Sequence, residues 1–177
     1  MPQVPELPNP ANVLAAALAR RPGWERWIGP DDGVVVAQTV CLAALAWPGR
    51  ARWRLAAPVA AVAGAAMAAG TALAVAAGAV HGPRLTPRVE PPDDAALLTS
   101  GPYTVSRHPI YGGLLLATAG WAVFRRRPEP VLAWAALLAV LTVKTGREEE
   151  RLAARYGPAY EDYRSRTPRL LGLPRRA

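Results

Sequence analysis

Apolar positions in this chain are gathered into four uncharged blocks separated by basic or proline-rich breaks. The longest runs from Leu55 to Val80, 26 residues without a charge. At about 1.5 Å per residue this exceeds the roughly 30 Å of a hydrocarbon layer. Gly33 to Trp47, Ile110 to Phe124 and Val131 to Val143 hold 15, 15 and 13 residues, short of the usual span of about 20. The pattern predicts an all-α polytopic membrane protein with about four transmembrane or partly spanning helices. Trp24, Trp27, Trp47 and Trp53 sit near run ends, where interfacial aromatics collect.

The breaks divide the chain into three regions. Residues 1–32 read as a tail and an interfacial helix, with Asn12 as its cap and Pro22 beyond its end. The patch Val13 to Ala19 is short and follows Glu6 and prolines, so no cleavable signal peptide is expected. Residues 33–80 form a two-helix membrane scaffold, in which Ala60, Gly64 and Ala68 offer a small-residue face for helix packing. Residues 81–177 hold an extended linker with Pro83, Pro87, Pro91 and Pro92, then a helical hairpin, then a C-terminal helix pair that Gly157-Pro158 interrupts and restarts.

Composition refines this picture. Hydrophobic residues make up 51%, too many for a disordered chain, and the single Cys41 excludes a disulfide framework. The net charge of +8 is spread among apolar blocks rather than along one soluble face, which argues against nucleic acid. His81 and His108 lack further donors at ligand spacing, so no metal site is expected. With both termini in the cytoplasm, fifteen basic residues fall inside and six outside, in the triplets Arg50, Arg52, Arg54 and Arg125, Arg126, Arg127. Twenty arginines to one lysine, with abundant alanine, suit a bacterium with GC-rich DNA, hence a bacterial plasma membrane.

The candidate chemistry begins at Gly101-Pro102-Tyr103 and continues through Arg107-His108-Pro109-Ile110-Tyr111-Gly112-Gly113 into an apolar helix. Pro109 suits a first helical turn, whose free amides and dipole would face Arg107 and His108. Gly146-Arg147-Glu148-Glu149-Glu150 follows the last apolar run, and acidic groups at a membrane boundary need partners. A basic and an acidic cluster thus meet at one cytoplasmic mouth, or are only an interfacial anchor and the solvated face of a helix, the role assigned to Glu150. The five tyrosines, all between 103 and 163, are either core aromatics or pocket walls.

The ordered set Gly101-Pro102-Tyr103, Arg107-His108-Pro109-x-Tyr111, Glu148-Glu149, Tyr156-Gly157, Tyr160-x-x-Tyr163 and Pro168-Arg169 resembles the isoprenylcysteine carboxyl methyltransferases and related phospholipid methyltransferases, over the half from His81 onward. The resemblance implies an integral membrane enzyme that uses S-adenosylmethionine in a mouth open to the cytoplasm, with a lipophilic small molecule or lipid entering from the bilayer. It implies cofactor binding by Gly101, Tyr103, His108, Pro109, Tyr111, Gly113, Glu148 and Glu149. Glu149 is expected to hold the cofactor's amino end, and Arg107 or Arg147 to orient an anionic substrate group. A membrane reductase with a nicotinamide cofactor and a noncatalytic scaffold are the rival readings.

Overall fold

The computed structural model describes residues 32–81 and 97–171. The expected interfacial helix with Asn12, the two tryptophans at 24 and 27, and the prolines from 83 to 92 lie outside the described residues. Five α-helices follow in order: α1 Asp32–Ala46, α2 Ala57–His81, α3 Pro109–Phe124, α4 Pro128–Tyr156 and α5 Pro158–Arg166, with a short 3-10 turn at Gly101–Thr104. No strand occurs among the described residues.

Proline opens α3, α4 and α5, at the position where its missing donor and fixed φ cost nothing. The last apolar run and the acidic segment form one 29-residue helix that passes through Gly146 without a break. The expected C-terminal helix pair is therefore the polar end of α4 followed by α5. Between them Gly157 adopts φ 53° and ψ −128°, a conformation open to glycine alone without strain.

α2 packs along α3, α3 forms a hairpin with α4, and α1 lies on α4. Cys41 and Leu45 of α1, Leu115 and Ala122 of α3, and Leu137 and Leu141 of α4 form the main core. Where α2 meets α3 the backbones nearly touch. A Cβ on Gly113 would lie 2.5 Å from the Gly70 carbonyl oxygen, and one on Gly120 would strike the carbonyl oxygen of Ala63. The small-residue face that α2 uses is Ala63, Gly70, Ala74 and Ala77, one position round the helix from the expected Ala60, Gly64 and Ala68. Ala68 is exposed, and Gly64 meets only the Phe124 ring. A helix built almost wholly of alanine, glycine and valine presents small residues all round, so its partner chooses the face.

Among the described residues two helices are long and apolar enough to cross a membrane, Ala57–Val80 and Pro128–Tyr156. Only 11% of the apolar window of α2 is buried within the chain, unlike the core helix of a water-soluble fold. Val36, Val40, Val62, Val75 and Leu132 are each at least 60% exposed, an outer surface that suits hydrocarbon. At 15 and 16 residues, α1 and α3 are about 23–24 Å long, short of the roughly 30 Å of a hydrocarbon layer.

Candidate functional site

The residues of interest converge where α3 begins and α4 ends. Ser106, Arg107 and His108 lead into Pro109 and pair with the segment after α5. The Arg107 amide donates to the Pro168 carbonyl at 2.9 Å and the His108 amide to the Arg169 carbonyl at 3.0 Å. Ser106, fully buried, donates from Oγ to the Arg169 carbonyl and accepts from the His108 amide. Below this strap the Tyr163 hydroxyl donates to the Tyr103 carbonyl at 2.6 Å. Tyr103, Tyr160, Tyr163 and Ala77 form a second buried cluster, so these three tyrosines are core aromatics. Burial pushes the Tyr103 and Tyr163 hydroxyls up to about 12, which keeps both protonated and unsuited to act as bases.

Glu149 is the hub. Its Oε1 accepts from Arg107 Nε at 3.0 Å and Nη2 at 2.7 Å, and its Oε2 accepts from Arg169 Nη2 at 2.7 Å. Arg107 spends its remaining terminal nitrogen on the carbonyls of Arg164 and Thr167. The Arg107 and Glu149 side chains are 8% and 4% exposed. The pair tied to the Arg169 guanidinium is thus a buried clasp that locks the C-terminal strap onto α4. Glu149, expected to hold a cofactor's amino end, and Arg107, expected with Arg147 as the alternative to orient a substrate anion, thus have partners within the chain.

His108 and Glu148 are engaged less completely. His108 Nδ1 lies 3.2 Å from Glu148 Oε2, and the Tyr111 hydroxyl donates to Glu148 Oε1 at 2.7 Å. His108 Nε2 is 3.4 Å from Glu149 Oε1, with an angle that makes an ion-pair contact and no hydrogen bond, so this buried nitrogen is left without a hydrogen-bond partner. The His108 and Tyr111 rings are stacked, with centroids 5.9 Å apart. Glu148 keeps 15% exposure, the more open of the two carboxylates.

Burial by itself lowers the affinity of the His108 imidazole for a proton. The two carboxylates beside it, Glu148 and Glu149, outweigh that effect and raise the imidazole above its ordinary 6.5. The groups facing His108 are those two carboxylates, the Arg107 guanidinium behind Glu149, and the Tyr111 hydroxyl on Glu148. A raised folded-state value means that protonation favours the fold. The contribution is complete below the unfolded value near 6.5 and is lost as pH rises through the folded value. Melting temperature followed from about pH 6 to 9 should fall across that window in the parent and fall less in His108→Asn. Parallel curves would refute the assignment.

The structure thus brings together Tyr103, Arg107, His108, Pro109, Tyr111, Glu148 and Glu149. Gly113 lies in the α2–α3 contact instead, against the Gly70 carbonyl oxygen and the Ala74 amide nitrogen. Gly101 is exposed and takes φ 60° in the 3-10 turn, a backbone role. Arg147 is exposed on α4, and Glu150 is exposed as expected of a solvated face. Sequence reading left out Lys144, whose side chain is buried, donates to Gln38 Oε1 of α1 at 3.1 Å, and sits 4.9 Å from the Tyr111 ring centroid. Its signal was present in one respect: it is the first charge after the apolar run and the chain's one lysine. Arg169, quoted only as part of a motif, proves to be a partner of Glu149, which raises its already high proton affinity.

A family model described as phospholipid methyltransferase matches residues 59–159, more than half of the chain. The match takes in nearly all of α2, ahead of the half over which the motifs resemble that group, and ends before Tyr160, Tyr163 and Arg169. No curated protein and no solved structure matches.

Proposed function

Since the chain belongs to the phospholipid methyltransferase family, we propose that it transfers a methyl group from S-adenosylmethionine to an oxygen or nitrogen of a lipophilic small molecule or lipid, at the cytoplasmic membrane boundary. The family is membrane-associated and its activity is methyl transfer to lipid-like substrates, which agrees with two helices able to span. The single observation that carries the reading is the cluster of Glu148, Tyr111 and His108, with a buried imidazole nitrogen that has no hydrogen-bond partner.

The residues suit the group in their chemistry. When bound, S-adenosylmethionine supplies an electrophilic methyl on a sulfonium, beside an ammonium and a carboxylate. Glu148 offers a partly open carboxylate to a cation, and the Tyr111 hydroxyl and His108 hold it in place. Methyl transfer is an in-line displacement in which the acceptor's bond to carbon forms as the sulfur–carbon bond breaks, and the acceptor proton leaves to solvent or a nearby carboxylate. Such a step needs alignment and exclusion of water more than a protein nucleophile. The Arg107–Glu149–Arg169 clasp contributes by holding the His108 backbone and Glu148 in register, so Arg107 and Glu149 act as positioning residues.

Calorimetric titration of the detergent-purified chain with S-adenosylmethionine and S-adenosylhomocysteine tests this. Glu148→Gln removes one charge and keeps the shape. It should weaken binding about 10- to 100-fold, the scale of one charged hydrogen bond at about 1.5–3 kcal/mol. A folded parent that binds neither compound, or that binds a nicotinamide cofactor instead, overturns the proposal.

A further inference from the structure

The end of the bundle opposite the His108 cluster carries a second charged centre. About 22 residues of α4, or roughly 33 Å, separate Arg127 from Glu149. Six arginines, Arg50, Arg52, Arg54, Arg125, Arg126 and Arg127, gather on the α1–α2 connection and the α3–α4 turn, with Glu129 beside them. The Arg52 amide donates to the Arg126 carbonyl at 2.8 Å, which joins the two loops. Glu129 is neutralised in place by Arg52 at 2.5 Å.

Arg127 forms the floor. It is 6% exposed, donates to the Trp47 and Pro48 carbonyls at 2.6 and 3.2 Å, and packs its guanidinium on Gly49. Its Nε is buried without a hydrogen-bond partner, and so is that of Arg125. Arg127 lines a cleft of about 390 Å³ together with Ala44, Trp47, Pro48 and Glu129. A guanidinium in the wall of a cleft of that size gives an entering anion a fixed positive charge to meet.

The backbone carries an independent sign. Arg126 has φ 54°, the one non-glycine residue in the left-handed region among the described residues, at the point where α3 ends. Glycine takes that position at no steric cost, whereas a side chain there costs about 1 kcal/mol. Keeping arginine at a position that suits glycine points to a use for its charge.

We infer that this cleft, with Arg127 in its wall and five further arginines on the two loops around it, binds the phosphodiester headgroup of an anionic phospholipid in the leaflet at that end. The lipid source is favoured over free phosphate by depth. α2 starts at Ala57 and the apolar run of α4 starts at Val131, so the cluster sits at headgroup level, and Trp47 and Trp53 are 70% and 44% exposed beside it. Such binding also gives a reason for two arginine triplets on the side where basic residues are disfavoured. It stands apart from the methyl-transfer reading.

The test is thermal unfolding of the full chain in neutral detergent, titrated with phosphatidylglycerol, phosphatidylcholine or inorganic phosphate. Arg127→Gln removes the tether to Trp47 and Pro48 and can lower stability by itself. Arg126→Gly removes a charge and relieves the backbone, so the unliganded melting temperature should hold or rise. Phosphatidylglycerol should raise the parent's melting temperature well above the phosphatidylcholine effect. The apparent affinity should be about fivefold weaker in Arg126→Gly, the effect of one basic residue at an anionic surface. Equal stabilisation by both lipids, or unchanged affinity in Arg126→Gly, would overturn the inference. Full stabilisation by inorganic phosphate alone would overturn the lipid source.

Discussion

Replacing Glu149 with alanine should cost about 3–5 kcal/mol and release the C-terminal strap from the bundle. The change leaves the Arg107 side chain, 8% exposed, with no counter-charge, and an uncompensated buried charge is among the most destabilising single changes. Arg169 loses the same anchor, and the Arg107 contacts to the Arg164 and Thr167 carbonyls are then made by a mobile side chain. Protease sensitivity should appear after Tyr156 before the helices themselves melt. Limited proteolysis with mass spectrometry, beside a thermal melt, reads both. A Glu149→Ala protein with the parent's melting temperature and cleavage pattern would show that the clasp contributes nothing. The double change Arg107→Met with Glu149→Leu should recover part of the loss, because a matched apolar pair leaves no buried charge. Cofactor binding by that double variant would separate a positioning role from direct contact.

Gly120→Val should be nearly as damaging, by a different route. The first added carbon strikes the Ala63 carbonyl oxygen and lies 2.7 Å from Met67 Cγ, and backbone cannot rotate away. α2 must then move off α3, a cost at or above the upper end of the usual 1–3 kcal/mol for overpacking. α2 contacts the Tyr103 turn through Ala77, so the displacement reaches the site as well. Gly146→Ala is the matched control. It lies inside α4 with nothing within 4 Å of its added carbon, and it should stabilise by about 1 kcal/mol through helix propensity. Parent-like stability in Gly120→Val, measured in the same detergent, would mean that the α2–α3 contact is looser than described.

How much of this was legible beforehand differs between elements. The helices at Asp32–Ala46, Ala57–His81 and Pro109–Phe124 fall almost where the uncharged runs begin and end. Charge, proline and glycine act locally, and their effect on a helix boundary needs no partner. The meeting of His108 with Glu148, 40 residues apart, was legible as far as one mouth, since an apolar hairpin returns the chain to the side it left, while the pairing of individual side chains was not. The continuity of α4 through Gly146 was missed because a change from apolar to charged residues looks like a boundary, although glycine tolerates helix at modest cost.

By itself, then, the sequence determined the helices, their length against a bilayer and the residue types available for chemistry, because each depends on neighbours a few positions away. The tertiary structure decided what those residues do. It turned Glu149 and Arg107 into a clasp, placed Lys144 on Gln38 across 106 residues, and chose Ala63 and Gly70 over Ala60 and Gly64 as the packing face. The physical reason is the same in each case: a buried charge takes whichever partner packing brings within hydrogen-bond reach, and a helix of uniformly small residues carries no local mark of which side will be covered.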